Sequence, residues 1–272
     1  MTARLFDPMQ HPDWITPQSA EWHANVALES GEYNYPWQSE FDEPRAELVF
    51  ADRISAFLDE NAQVLDVGCG HGAFTKRFAG KAGEVVGIDV NERYIATANE
   101  EKVAGASFLA ADAAGPLPFR DNAFDVVYTK KGPWLFNNRT AEGHRILKPG
   151  GTVLALYHCG TDGGLRRLFP GLYQSLPDRH LDTMRVQFER QLCDSGLAKV
   201  ELQLFDEVEY LSRPEDVLIK KCFGQKESLK AIVRQECLKQ VEAIFRRNRT
   251  PRGLKVVNYH ALLVARKESR AH

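Results

Sequence analysis

The residues best suited to chemistry stand in one nine-residue stretch, Val64-Leu65-Asp66-Val67-Gly68-Cys69-Gly70-His71-Gly72. Glycines at alternate positions let a backbone turn sharply and let a ligand approach without meeting a Cβ. Asp66 stands two residues before the first of them. A carboxylate in that place repels a pyrophosphate and attracts a sulfonium or an ammonium group. A dinucleotide fingerprint reads G-x-G-x-x-G, with the third glycine packing helix on strand, whereas this chain reads G-x-G-x-G. The stretch is therefore suited to a nucleotide-like ligand that carries positive charge. The structural alternative is a corner whose glycines serve geometry alone.

Holding such a ligand requires a strand, a tight turn and a helix in succession. The apolar run at 64–67 supplies the strand, and Ala73-Phe74-Thr75-Lys76-Arg77-Phe78 has helical potential. A helix there would aim unpaired N–H groups at the turn. Upstream, apolar residues between 44 and 60 recur at helical spacing, with Pro44 suited to a first turn. Downstream, Glu84-Val85-Val86-Gly87-Ile88-Asp89 reads as a second strand ending in an acid. A carboxylate at such a strand end can accept both hydroxyls of a ribose. A helix over 91–103 follows, with Asn91 as its cap. Further strands are expected at 107–110, 125–129 and 152–157, with a helix over 139–147 ended by Lys148-Pro149-Gly150-Gly151.

The Val64–Gly72 stretch resembles the first motif of the class I S-adenosylmethionine (SAM)-dependent methyltransferases. Leu117-Pro118-Phe119 followed by Phe124-Asp125-Val126-Val127 resembles their small-substrate branch, and Arg145-Ile146-Leu147-Lys148-Pro149-Gly150-Gly151 resembles a late structural motif. The resemblance implies an α/β Rossmann-like sandwich around a seven-stranded, mostly parallel sheet of order 3-2-1-4-5-7-6, its last strand antiparallel. It implies SAM as cofactor and S-adenosylhomocysteine as product. Asp66, Gly68 and Gly70 would line the cofactor, with Cys69, His71 and Gly72 in the same turn through side chain or backbone alone; Asp89 and Val90 would hold its ribose; Asp112 and Ala113 would meet its adenine. Lys130 would hold either the cofactor carboxylate or an acidic acceptor, or stay a solvated loop lysine.

The acceptor side is less determined. Ligands of open α/β sheets bind beyond the carboxyl ends of the strands, which places Tyr128, Lys130, Trp134 and His158 near the reacting groups. His158 can serve as a general base or as a hydrogen-bonded structural histidine, and Tyr128 can orient an acceptor or pack. His144 is read as structural. Residues 1–42 hold three tryptophans, Tyr33 and Tyr35 among prolines, too aromatic for a disordered tail. We read them as an irregular cap with one short helix at 19–30, either a lid that brings Tyr35 and Trp37 to the substrate or an arm packed outside the core. Residues 43–160 then form the cofactor-binding core. Residues 161–272 complete the same domain with helices near 181–195, 213–216 and 228–246 and strands near 200–210 and 256–266.

Composition narrows the function. The 272 residues carry a formal net charge of −2, so no global field draws the chain to nucleic acid or to an anionic membrane. No apolar run has the length of a membrane span, and the first residues lack a signal core. Five cysteines without a C-x-x-C pair read as a reduced, cytoplasmic protein without structural zinc. The expected activity is in-line methyl transfer to a small-molecule acceptor, which needs a rigidly held cofactor and exclusion of water. RNA methylation is the alternative. Arg246, Arg247, Arg249 and Arg252 could touch phosphates. Against it, Lys130-Lys131-Gly132-Pro133 stands where base-amino methyltransferases carry Asn/Asp-Pro-Pro-Tyr/Phe. A SAM-binding protein without methyl transfer is the third reading.

Overall fold

The computed structural model describes residues 4–30, 32–137, 141–162 and 164–269. In chain order its elements are α1 (Ala20–Ser30), β1 (Ser39–Phe41), α2 (Ala46–Ser55), β2 (Gln63–Val67), β3 (Glu84–Asp89), α3 (Glu92–Glu100), β4 (Ala106–Ala110) and β5 (Phe124–Lys130). There follow α4 (Glu142–Ile146), β6 (Leu147–Asp162), α5 (Leu165–Leu168), α6 (His180–Ser195), β7 (Ala198–Leu211), α7 (Pro214–Lys221), α8 (Glu227–Asn248) and β8 (Leu254–Arg266). Among the described residues the strands form one eight-stranded sheet in the order β1-β7-β8-β6-β5-β2-β3-β4. Strands β2, β3, β4, β5 and β6 pair in parallel where they adjoin one another.

That sheet corrects the expected count of seven strands: β1 is added at the edge beside β7, while β4-β3-β2-β5-β6-β8-β7 run in the expected order 3-2-1-4-5-7-6. Part of the segment read as an irregular cap, Ser39–Phe41, is itself a strand and pairs antiparallel with β7, Ser39 opposite Leu211 and Phe41 opposite Glu209. The expected α-helix after the glycine turn is also corrected. Thr75–Phe78 forms only a 3₁₀ turn, because Gly72 and Gly80, both at φ +79°, bracket a run too short to nucleate a helix. The Lys148–Gly151 segment is not a helix stop followed by a turn. It lies within β6 as an irregularity, since Leu147 pairs with Phe124 while the next pairing is Thr152 with Val126. Backbone bonds with Lys267 pin it: Gly150 N–H donates to Lys267 O at 3.0 Å and Lys267 N–H to Gly151 O at 2.9 Å. Helix α4 is shorter than expected, and Arg139 lies outside the described residues.

The chain divides into two compact units. One comprises Ala46–His158, Leu181–Phe205 and the residues from His260 on. Its core is built by Phe50 and Ile54 from α2 with Val64, Val85, Val126, Tyr128, Leu154, Leu156, Leu262 and Val264 from the strands. Burying each such side chain contributes roughly 1.5–3 kcal/mol. Strand β2 is buried over four of its five residues, as expected of a parallel strand covered on both faces. Helix α3 begins as predicted, with the Asn91 side chain accepting from Arg93 N–H at 3.0 Å.

The other unit comprises the N-terminal residues to Arg45, Cys159–His180 and Asp206–Tyr259. Helix α8 buries Leu229, Val233, Cys237, Val241 and Phe245, one stripe at a four-residue spacing. Beside this core Glu209 is 1% exposed. It accepts from Trp37 Nε1 at 2.7 Å, Lys220 Nζ at 2.9 Å and Asn258 Nδ2 at 2.8 Å. Lys220 and these hydrogen bonds hold its carboxyl below the usual range, against the effect of burial. Removing one member of a buried ion pair costs about 3–5 kcal/mol. Glu209→Ala is therefore expected to lose about that much stability in urea titration, and Glu209→Gln less; a loss for Glu209→Ala below about 1 kcal/mol would show that the network carries no load.

Candidate functional site

The glycine turn is held by backbone on both sides. Gly68 N–H and Cys69 N–H both donate to Ile88 O, at 2.8 and 2.9 Å. From the other side the chain after β5 folds back onto it. A Cβ on Gly132 would lie 2.5 Å from Val67 O, and one on Gly68 would lie 3.1 Å from both Gly132 Cα and Pro133 Cδ. The Thr129 hydroxyl completes the join by donating to Val67 O at 2.8 Å. Glycine at 68 and 132 is thus required by contact between two backbones.

Beneath the turn Asp66 is 2% exposed. The Thr75 hydroxyl donates to its Oδ2 at 2.6 Å, while Oδ1 is buried and accepts no hydrogen bond. Burial raises the carboxyl from 3.8 to about 6, in spite of Thr75, Tyr128 and Lys130, which lower it. Tyr128 is fully buried, ringed by Phe50, Phe74 and Phe78 at 5.5–6.1 Å. Its hydroxyl neighbours Asp66 without hydrogen-bond geometry. Cys69 is half-buried. Burial and the fields of Asp66 and Asp89 push its thiol up, so it stays neutral and unreactive.

Asp89 ends β3, and its two oxygens accept from Gly70 N–H and Asn91 N–H, each at 2.9 Å. Each oxygen keeps a lone pair for a further donor. Val90 beside it is 69% exposed. On the neighbouring strand, Ala110 is paired opposite Asp89, and exposed Asp112 follows, accepting from Ala114 N–H at 2.8 Å. Asp66, Asp89, Val90, Asp112 and Ala113 thus stand at the carboxyl ends of adjacent parallel strands, around Gly68–Gly72.

Lys130, the last residue of β5, is bound to Glu47 at 2.7 Å and lies 4.2 Å over the Phe74 ring. Desolvation lowers its pKa and Glu47 raises it. Trp134 packs on Phe136 at 5.4 Å, and its Nε1 is buried without a hydrogen bond. His158 is exposed within β6, rather than following a strand as expected, and its ring meets His260 edge-on at 5.5 Å. The extension of β6 to Asp162 accounts for the difference. His144 Nε2 lies 2.7 Å from Ser195 O. Tyr35 and Trp37 belong to the other compact unit, where they stack on each other at 4.5 Å. Sequence reasoning missed Thr75, Arg77 and Glu47. Glu47 meets partners 30 and 83 positions away, and no local pattern marks such a pair.

Residues 64–151 match a family profile described as a methyltransferase domain. Over this stretch the chain is similar to the class I SAM-dependent methyltransferases. It is 32% identical over 175 residues to a malonyl-[acyl-carrier protein] O-methyltransferase of Geobacter sulfurreducens, covering 60% of this chain and 64% of that one. It is 38% identical over 103 residues to a ubiquinone/menaquinone biosynthesis C-methyltransferase of Burkholderia mallei, covering 35% and 42%. The chain spans less than two thirds of the length of these relatives. A functionally unknown protein of Deinococcus radiodurans shares the fold, with TM-score 0.62 and 20% identity over 91% of this chain and 99% of that one. Among the described residues no helix is long and apolar enough to cross a membrane, and no cluster of three or more His, Cys, Asp or Glu is placed to hold a metal.

The glycine turn rests on a buried charge that destabilises the fold. Raising a carboxyl from 3.8 to about 6 corresponds to about 3 kcal/mol. Because the folded pKa is the higher one, that penalty is full above about pH 6, shrinks as pH falls and is gone below about pH 4. Asp66→Asn keeps an acceptor for Thr75 and removes the charge. The variant should be more stable than wild type at pH 7.5, by up to about 3 kcal/mol, and the two should converge near pH 4. Urea titrations at both pH values check this; a variant less stable at pH 7.5 contradicts it.

Proposed function

We propose that this protein moves a methyl group from SAM to a small-molecule acceptor. The observation that carries the reading is Asp66, a buried carboxylate with one oxygen lacking any donor, directly beneath a glycine turn. The residues fit the cofactor. Asp66 would accept from its ammonium group, Asp89 would take ribose hydroxyls on its spare lone pairs, and Asp112 would meet the adenine amino group. When bound, SAM supplies an electrophilic methyl group on a sulfonium. The chain's part is to fix that group, present an acceptor opposite it and exclude water. Tyr128 acts on Asp66 from below. Lys130 stands ready for a carboxylate, and His158, exposed on β6, is the group available to take a proton from an acceptor. Trp134 is proposed to contact the acceptor.

The small-molecule reading is supported by the relatives, which are named for a carrier-bound malonyl group and for quinone biosynthesis. It is also supported by the basic cluster. Arg252 is held by Asp42 at 2.5 Å and Glu40 at 3.2 Å and lies 4.1 Å over the Tyr210 ring, and Arg246 faces Glu242. Two of the four cations offered for phosphate contact are thus already engaged.

Charge-assisted hydrogen bonds contribute about 1.5–3 kcal/mol each. Asp89→Ala is therefore expected to weaken S-adenosylhomocysteine binding at least tenfold in calorimetry with the fold intact; unchanged affinity would remove Asp89 from the site, and tight NAD binding by wild type would overturn the cofactor reading. Incubation with SAM and either metabolite pools or bulk RNA, reading out S-adenosylhomocysteine, is expected to give turnover with the former. Turnover with RNA alone would reverse the assignment.

A further inference from the structure

Glu47, in the first turn of α2, joins the two cations that flank the glycine turn. Its Oε2 is 2.7 Å from Lys130 Nζ at the end of β5, and its Oε1 is 3.0 Å from Arg77 Nη1 in the 3₁₀ turn that follows the glycines. Both cations also lie over the Phe74 ring, at 4.2 Å for Lys130 and 5.6 Å for Arg77. One carboxylate shared by two cations leaves a positive excess at this place. Asp66, which interacts electrostatically with Lys130, supplies the negative charge beside it. The pair is complementary to a zwitterion, with a carboxylate for its ammonium and a cation for its carboxylate.

A lysine ammonium has three donors on a flexible stem. Glu47 takes one of them at 2.7 Å and so fixes the stem while leaving donors to spare. Lys130 is 27% exposed at its side chain, so a fixed, partly desolvated cation is available without the entropy loss of ordering it on binding. We propose that Glu47 is a positioning residue for the amino-acid end of the cofactor, holding the Lys130 ammonium beside the glycine turn as the partner of the cofactor carboxylate. This inference rests on the SAM reading above. Glu47 itself does not touch the cofactor; it acts through Lys130.

Two ligands separate the roles: S-adenosylhomocysteine, and 5′-methylthioadenosine, which has the same nucleoside and thioether without the amino-acid end. Calorimetry would use wild type, Glu47→Gln, Glu47→Asp, Lys130→Met and the Glu47→Gln/Lys130→Met double variant. Glu47→Gln is expected to weaken S-adenosylhomocysteine about tenfold and methylthioadenosine less than about threefold, with Glu47→Asp recovering much of the loss. The double variant should be no weaker than Lys130→Met alone, because both changes remove one interaction. Equal weakening of both ligands by Glu47→Gln would reduce Glu47 to a structural role and overturn the proposal. So would unchanged S-adenosylhomocysteine affinity. Wild type that binds neither ligand would overturn the SAM reading and this assignment with it, a result distinct from either of those.

Discussion

The structure depends on one unfavourable charge. Asp66 sits beneath the glycine turn almost wholly out of water, with a single short bond from Thr75 and one oxygen without a donor. Buried charges are tolerated when paired, and within this chain the pairing is incomplete. Tyr128 neighbours the carboxylate without bonding it, and Lys130 is engaged by Glu47. The site therefore stores a deficit that a cationic group can relieve, and the fold around it is arranged to keep that deficit in place. Strained or unsatisfied groups persist only where their surroundings over-determine them.

Those surroundings are chiefly backbone. Ile88 O receives two N–H groups from the turn, Asp89 receives another from Gly70, and the chain after β5 presses Gly132 onto Val67 O, where a Cβ would lie only 2.5 Å away. Beneath lies an aromatic floor of Phe50, Phe74, Phe78 and Tyr128. The turn is thereby fixed by three parallel strands, β2, β3 and β5, rather than by the helix that often follows such a turn.

Much of this was legible in sequence because it is local. Asp66, the glycines, Asp89 and the Asn91 cap lie within 26 positions of one another and signal through residue type and spacing. The failures share the opposite cause. Ser39–Phe41 is too short to show alternation and is a strand only because β7 offers it an edge. Lys148-Pro149-Gly150-Gly151 has turn chemistry, yet Lys267, more than a hundred positions on, holds it within β6. The Thr75–Phe78 segment has helical potential that two left-handed glycines overrule. Glu47 is an ordinary first-turn acid until the fold brings Arg77 and Lys130 to it. Local pattern thus exposed the part of the site that is built from one stretch of chain, and missed the part assembled across it.

The measurement closest to the central claim is a carbon-13 NMR titration of the Asp66 carboxyl, assigned by comparison with Asp66→Asn, in the free protein and with S-adenosylhomocysteine. The account predicts a pKa near 6 in the free protein and a marked fall once a cationic ammonium pairs with Oδ1. A free-protein value near that of an ordinary aspartate, or a raised value that ligand leaves unmoved, would contradict it.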